Sequence, residues 1–477
     1  MKVGMKDISP WGLTKGVKYR YAKGIMIKKY LWTQADRKYL QMAMPAAWEG
    51  VFMILLSSVD LIMVGVLGTA AIAAVSIFTQ PRMMLLTVAR SLASAVTVLT
   101  AEYFGGGRRE QAARVLRQSL GLGAAVLLVL HLLFGAYLPS LLLWMGATPE
   151  YLALALDYGW IALAAVYVTS LTAILQALQL GFGQTGTVLR TNLQGNVLNL
   201  VVNALLIFGL GPFPALGVRG AAIGTLTGTL YTLVVVVYSL WRQGILRGSF
   251  LPAAAYFREL LPVFGSLFSE QGFERAGMVI YTRMVAELGT IPYAVHAICM
   301  NFCDFYYCFA GGLGKASTVM AGHAKGRQDW AGWRASLRTG IKWSFAFSLA
   351  ACLLTVVFRE QIFGLYSQEA AMLPLGSMVL VFVAGLSFPE AQQMVCAGIL
   401  RGSGRSAQVA AYSFVSIAVL RPLITAFLLY TLDMGLAGAW LAVFIDQSLR
   451  AACASFLIWK LANYPPRGLT QPLENHI

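Results

Sequence analysis

Residues Met42–Gly65 read MAMPAAWEGVFMILLSSVDLIMVG. The stretch is apolar and long enough to cross a bilayer as one helix, for which about 20 residues suffice. It nevertheless carries two acids, Glu49 and Asp60. An ionised carboxylate at mid-bilayer costs about 3 kcal/mol or more, so such a group turns toward a protein interior or a wet cavity. The two acids lie about three helical turns apart, which puts them on one face. Glu49 is open to two readings, an interfacial charge near a helix end or an interior group. Asp60 lies deeper, and an interior polar site is the expectation there.

The rest of the chain has the same character. Its 477 residues are 58% hydrophobic and only 12% charged, with a mean hydropathy of +0.68. Soluble domains are charged at about a quarter of their positions, so the composition indicates an all-α integral membrane protein. About twelve transmembrane helices are expected, near 42–66, 70–101, 117–145, 150–178, 187–210, 217–241, 258–286, 291–321, 336–358, 370–399, 408–431 and 435–460. A net charge of +16 suits a nucleic-acid binder in principle. The bases instead gather in the loops after even-numbered helices, as with Arg108, Arg109, Arg114 and Arg117, or Lys325, Arg327, Arg334 and Arg338. The opposite loops hold little beyond Arg219 and Arg359. This is the positive-inside pattern, so no nucleic acid is expected as a partner and both termini are expected in the cytoplasm of a multi-pass inner-membrane protein.

Residues 1–40 form a basic leader without the apolar run of a signal peptide, and its IMIKKYLW segment suits an anionic membrane surface. Residues 465–477 are expected as a cytoplasmic tail. Six cysteines, none in a CxxC pair, all stand in apolar stretches and read as small core residues.

The chain repeats itself. LGTAAIAAVSI at 67–77 returns as LGTIPYAVHAI at 288–298, GGRREQAA at 106–113 as KGRQDWAG at 325–332, GFGQT at 181–185 as GSGRS at 402–406, and GVRGAA at 217–222 as GLAGAW at 435–440. The repeat implies two pseudo-symmetric six-helix lobes, 41–245 and 246–464. An even number of crossings gives both the same orientation, with a cleft between them for a substrate.

Four stretches in fixed order, SSVDLIMVGVLGTAAIAAVSI, GNVLNLVVNALLIFGLGPFPALGVRGAAIGT, AVHAICMNF and FPEAQQMVCAGILRGSG, resemble the multidrug and toxic compound extrusion (MATE) family. The resemblance covers nearly the whole chain after the leader. It implies a two-lobed exporter that exchanges cytoplasmic organic substrates, commonly cations, for sodium ions or protons. It also implies a first-lobe acid at Asp60 with polar partners at Asn199 and Asn203, although some members have an acid where this chain has Asn203. Glu274 and Glu390 look like the counterparts of the second-lobe acids of cation-coupled bacterial members, with Glu270 as the alternative to Glu274. The wider superfamily includes flippases for lipid-linked oligosaccharides.

The residues themselves supply further candidates. Asn192, Asn196, Asn199 and Asn203 form one stripe on the fifth helix. The stripe is either a set of interhelical hydrogen bonds, worth about 0.6 kcal/mol each, or part of an ion site with Asp60. Glu270 and Glu274 stand one turn apart on the seventh helix, where like charges repel. The repeat places no asparagine stripe in the second lobe, so Glu274 and Glu390 are expected to face each other there. Asp304 is followed by Phe305, Tyr306 and Tyr307, aromatics that suit cation–π contact or plain packing. Arg82, Arg90, Arg275, Arg283, Lys315, Arg421 and Arg450 are intramembrane bases; Asp446 and Arg450 form an i,i+4 pair, and the others are structural partners or seats for an anionic group. His296, Cys299 and Cys303 share a helical face with the minimum ligand number of a zinc site, but no metal and no cofactor are expected.

No GxxxxGK[ST] loop is present, which argues against an ATP-driven pump, and no extramembrane segment is long enough for a catalytic domain, so no enzyme is expected. The expected function is secondary active antiport of small organic, drug-like cations against protons or sodium ions by alternating access. The alternative is a flippase for a lipid-linked or anionic amphiphilic substrate. The expected partners are that substrate and membrane lipid, with the chain acting as a monomer.

Overall fold

The computed structural model describes residues 32–366 and 371–463. Most of the basic leader and the C-terminal tail lie outside the described residues. Within them run twelve long helices: α1 (Gln34–Gly65), α2 (Thr69–Gly105), α3 (Arg109–Ala136), α4 (Pro149–Gly181), α5 (Thr185–Phe208), α6 (Val218–Arg242), α7 (Ala254–Ala286), α8 (Thr290–Gly326), α9 (Trp330–Gly364), α10 (Leu373–Gly402), α11 (Ser406–Thr431) and α12 (Gly435–Asn463). The expected twelve-helix architecture is thus present, with no strand among the described residues.

The helices are longer than hydropathy suggests. α8 has 37 residues, whereas about 20 cross the hydrocarbon. Each helix therefore continues into the polar zone, and bases read from sequence as loop residues, such as Arg114, Arg117 and Arg401, stand in helical turns. α1 starts earlier than expected because Thr33 and Asp36 form a capping box. α2 bends at Phe78, and π-helical segments interrupt α11 on either side of Arg421–Ala426. Ten of the twelve helices are apolar enough to cross a membrane. The two exceptions, α7 and α8, carry Glu270, Glu274, Arg275, Asp304 and Lys315.

The repeat is visible in the backbone. Gly68 (φ 106°) and Gly289 (φ 103°) open α2 and α8, while Gly183 (φ 79°) and Gly404 (φ 81°) precede α5 and α11. The same displacement along the chain carries Gly107 (φ 73°) to Gln328 (φ 55°). That pairing shifts the alignment of GGRREQAA on KGRQDWAG by two residues from the one read by sequence identity. Backbone conformation is the better guide because Gln328 keeps the left-handed turn without glycine, at a cost of about 1 kcal/mol.

The pseudo-twofold axis passes where α2 meets α8. A side chain on Gly105 would collide with the His323 backbone, and one on Gly326 with Glu102 O and Gly106 N. The repeat carries Gly105 to Gly326 and Glu102 to His323, so the two contacts are one contact made twice. Gly322 and Gly326 have the small-xxx-small spacing that lets membrane helices approach this closely. Around the crossing, Lys325 Nζ pairs with Glu102 Oε2 at 2.8 Å and the His323 ring lies 2.7 Å from Gly181 O. Further up α8, Tyr39 OH donates to Leu313 O at 2.9 Å, and Gly312 abuts Ala43 and Ala47. On the other flank Gln271 of α7 donates to Ser91 of α2 at 2.8 Å.

The apolar clusters divide in the same way. Ala89, Leu92, Val96, Leu260 and Leu267 join α2 to α7, and Tyr39, Ala43, Leu313 and Ala316 join α1 to α8. At the opposite end the clusters stay within a lobe, around Val64, Phe78, Tyr158 and Val218 in the first and Tyr281, Val295, Val379 and Trp440 in the second. The lobes are therefore joined at the end where α1 begins; at the other end none of these apolar clusters bridges the lobes, and the space between α1, α2, α7 and α8 on that side is termed the cleft. Gly326→Leu is expected to force the α2–α8 crossing apart and lower transport at least tenfold in a protein that still elutes as a folded species. Transport at the wild-type rate would show that the crossing separates freely.

Candidate functional site

In the first lobe the stripe of α5 faces α1. Asn192 Nδ2 donates to Glu49 Oε1 at 2.5 Å, and Asn203 Nδ2 donates to Asp60 Oδ1 at 3.0 Å. Both bonds span 143 residues of sequence, so the faces match in register. Glu49 is an interior group, its side chain only 13% exposed, with Lys315 of α8 3.9 Å away; the interfacial reading does not hold. Gln176 of α4 completes that cluster by donating to Asn192 Oδ1 at 2.7 Å.

Around Asp60, Asn199 donates to Thr225 Oγ1 at 3.3 Å, and a long 3.5 Å contact links Asn203 Nδ2 to Asn199 Oδ1. Asn203 Oδ1 is buried and receives no hydrogen bond among the described residues. Asp60, Asn203, Asn199 and Thr225 thus gather oxygens, one an orphaned acceptor, beside a carboxylate bonded to amide rather than to a cation. Asn196 shares the face but has no side-chain hydrogen bond among the described residues.

The second lobe separates the two glutamates of α7. Glu270 is buried and bonded to Arg401 of α10 at 2.5 Å, which fixes it as a bridge between helices. Glu274 faces Tyr307 and Glu390 within electrostatic range. Glu390 is buried, 6% exposed, and lies in range of Arg450 and Asp304 as well. The expected Asp446–Arg450 pairing is not formed. Asp446 is fully buried and bonds Arg421 and Ser416 of α11, because the π-helical turns of α11 bring those side chains to it. Arg450 is left beside Glu390, with Gln447 Oε1 at 3.4 Å.

The aromatic residues after Asp304 also divide. Tyr306 is tied to Ala351 O at 3.2 Å and to Thr355, whereas Tyr307 is 44% exposed and Asp304 is exposed. His296 is packed among Tyr281, Tyr293 and Trp440, and no three His, Cys, Asp or Glu side chains are grouped as metal ligands among the described residues.

Comparison with known proteins places this arrangement. The MatE family profile matches residues 45–205 and 268–427, one block in each lobe. The chain belongs to the MatE family. It is therefore a membrane transporter and not an enzyme. Its relatives include the multidrug resistance protein MdtK of Pectobacterium atrosepticum, 27% identical over 444 residues that span 89% of this chain and 95% of that one. A mutant of the Vibrio cholerae MATE transporter VcmN matches the structure with a TM-score of 0.85 at 18% identity, over 92% of this chain and 99% of that one. A MOP superfamily transporter from Pyrococcus furiosus, its structure reported under the words "reverse polarity of binding pocket", matches with a TM-score of 0.82 at 19% identity, over 92% and 98%.

Three partners in this MatE chain escaped sequence reading. Thr225 and Gln176 are single polar residues on otherwise apolar faces, with no periodic signal. Arg401 looked like a loop base. Glu274 and Glu390, in range of each other, are expected to act as one unit, so Glu274→Gln, Glu390→Gln and the double variant should lose ion-driven efflux to a similar extent. Multiplicative losses would show two independent groups. Arg421→Ala, which strands Asp446 in the core, is expected to cost about 3–5 kcal/mol of stability, read as a lowered midpoint of thermal unfolding in detergent.

Proposed function

We propose that this MatE transporter is a secondary active antiporter that exports small organic, drug-like substrates in exchange for protons or sodium ions. The carrying observation is Asp60, an intramembrane carboxylate whose hydrogen-bond partner is the Asn203 amide. A carboxylate in such surroundings calls for a neutralising proton or monovalent cation, and the orphaned Asn203 Oδ1 beside it suits a cation or a protonated partner. Glu274, Glu390, Asp304 and Tyr307 form the corresponding centre of the second lobe, where an acid and an exposed aromatic suit a cationic substrate. Glu270, held by Arg401, contributes by fixing α7 to α10.

Alternating access follows from the closed crossing of α2 and α8. With the loop bases assigned to the cytoplasm, both termini are cytoplasmic and the cleft opens to the exterior, so the structure represents the substrate-releasing side of the cycle. Names of relatives that include multidrug resistance favour a drug-like substrate. The flippase reading is favoured only by the basic residues of the cleft.

The test is efflux of ethidium from proteoliposomes under a pH gradient and a sodium gradient applied separately. Wild type is expected to respond to one of them, and Asp60→Asn to lose that response by at least tenfold while remaining folded. A gradient-driven rate equal to wild type in Asp60→Asn would reduce Asp60 to a scaffold residue.

A further inference from the structure

Several intramembrane bases in this protein are matched to an acid: Arg421 is bonded to Asp446 and Arg401 to Glu270, and Lys315 lies 3.9 Å from Glu49. Four depart from that pattern, and of these Arg450 reaches the Gln447 amide oxygen at 3.4 Å. Arg82 and Arg90 of α2 and Arg275 of α7 have no side-chain hydrogen bond and no ion pair among the described residues, and Arg82 Nε is buried without an acceptor. A guanidinium carries five donors, and leaving them without acceptors at membrane depth is costly unless water or a ligand takes them.

The three lie together. Arg90 is within electrostatic range of Arg82, Arg275, Tyr307 and Glu49, that is, of groups on α2, α7, α8 and α1. Only the space enclosed by those four helices is near all of them, so Arg90 faces the cleft rather than lipid. Arg90 and Arg275 are exposed there, flanking the Ser91–Gln271 bond that ties α2 to α7. Arg82 extends the strip toward the open end, within range of Asp60. Arg82 and Arg275 each repel Arg90, which lies within electrostatic range of both, unless an anion stands between them, and planar guanidinium forks match the two oxygens of a carboxylate or phosphate.

We infer that Arg82, Arg90 and Arg275 form a seat for the anionic group of an organic substrate, a carboxylate or phosphate, beside Tyr307, which packs the apolar body. The inference rests on the exporter reading and adds to it a recognition element for substrates that carry an anionic group. A lipid phosphate presents the same chemistry as a soluble anion.

The experiment measures fluorescence anisotropy of carboxyfluorescein with the full-length protein in phosphatidylcholine nanodiscs, then in nanodiscs containing phosphatidylglycerol. Variants are Arg90→Gln, Arg275→Gln and Arg90→Lys. Wild type is expected to bind the dye, both glutamine variants to weaken binding roughly tenfold or more, and Arg90→Lys to recover part of the loss. Suppression of dye binding by phosphatidylglycerol, relieved in the glutamine variants, assigns the seat to a lipid headgroup. Dye binding that is absent, or equal in wild type and glutamine variants, with no effect of phosphatidylglycerol, overturns the inference. Ethidium efflux by the wild type separates the outcomes: if it persists without anion binding, the anion seat alone is lost, and if no gradient drives it, the exporter reading fails.

Discussion

The bilayer's intolerance of unpaired charge is the constraint on which the rest of this structure depends. Every intramembrane acid and base must be paired, wetted or occupied. The helices least able to face lipid, α7 and α8, are accordingly packed against the other lobe, α7 on α2 and α8 on α1 and α2. The same constraint explains why Asp446 is sealed by Arg421 and Ser416 in the core of the second lobe, and Glu270 by Arg401. Those pairs fix helices. Asp60, bonded to an amide, holds no helix in place by an ion pair among the described residues.

Duplication supplied the frame and divergence supplied the chemistry. Backbone landmarks such as Gly183 and Gly404 keep nearly the same φ in both halves, because turn geometry tolerates little change. The polar centres do not match: Asp60 is met by asparagines from α5, while Glu390 of α10 is met by Glu274 of α7 and Arg450 of α12. The α2–α8 crossing lies on the axis, so one glycine contact is made twice and both lobes depend on it equally. At its centre the crossing packs backbone against backbone, where a glycine leaves no side chain to rearrange. It is closed or it is apart, which suits a two-state transporter.

Charge within the cleft is uneven. Acids and an exposed tyrosine mark the second lobe, and unpaired arginines mark the α2–α7 flank. A charge placed wrongly among such groups meets repulsion at short range and low dielectric.

Much of this was legible in the chain itself. Twenty-residue apolar runs, the spacing of bases and the internal repeat determined an all-α membrane protein of twelve helices in two lobes, because hydrocarbon thickness and transfer energy act locally on every segment. The face shared by Glu49 and Asp60 and the asparagine stripe were also local facts, since helical periodicity alone sets them. Pairing was not local. That Asp446 bonds Arg421 instead of its i,i+4 neighbour Arg450, that Arg401 reaches Glu270, and that Thr225 and Gln176 join the asparagine clusters all depend on helices far apart in sequence and on the π-helical turns of α11. The sequence determined which groups the membrane would reject; only the packing of the two lobes decided which of them found partners, because a charge in low dielectric responds to whatever lies within a few ångströms, whichever helix brings it there.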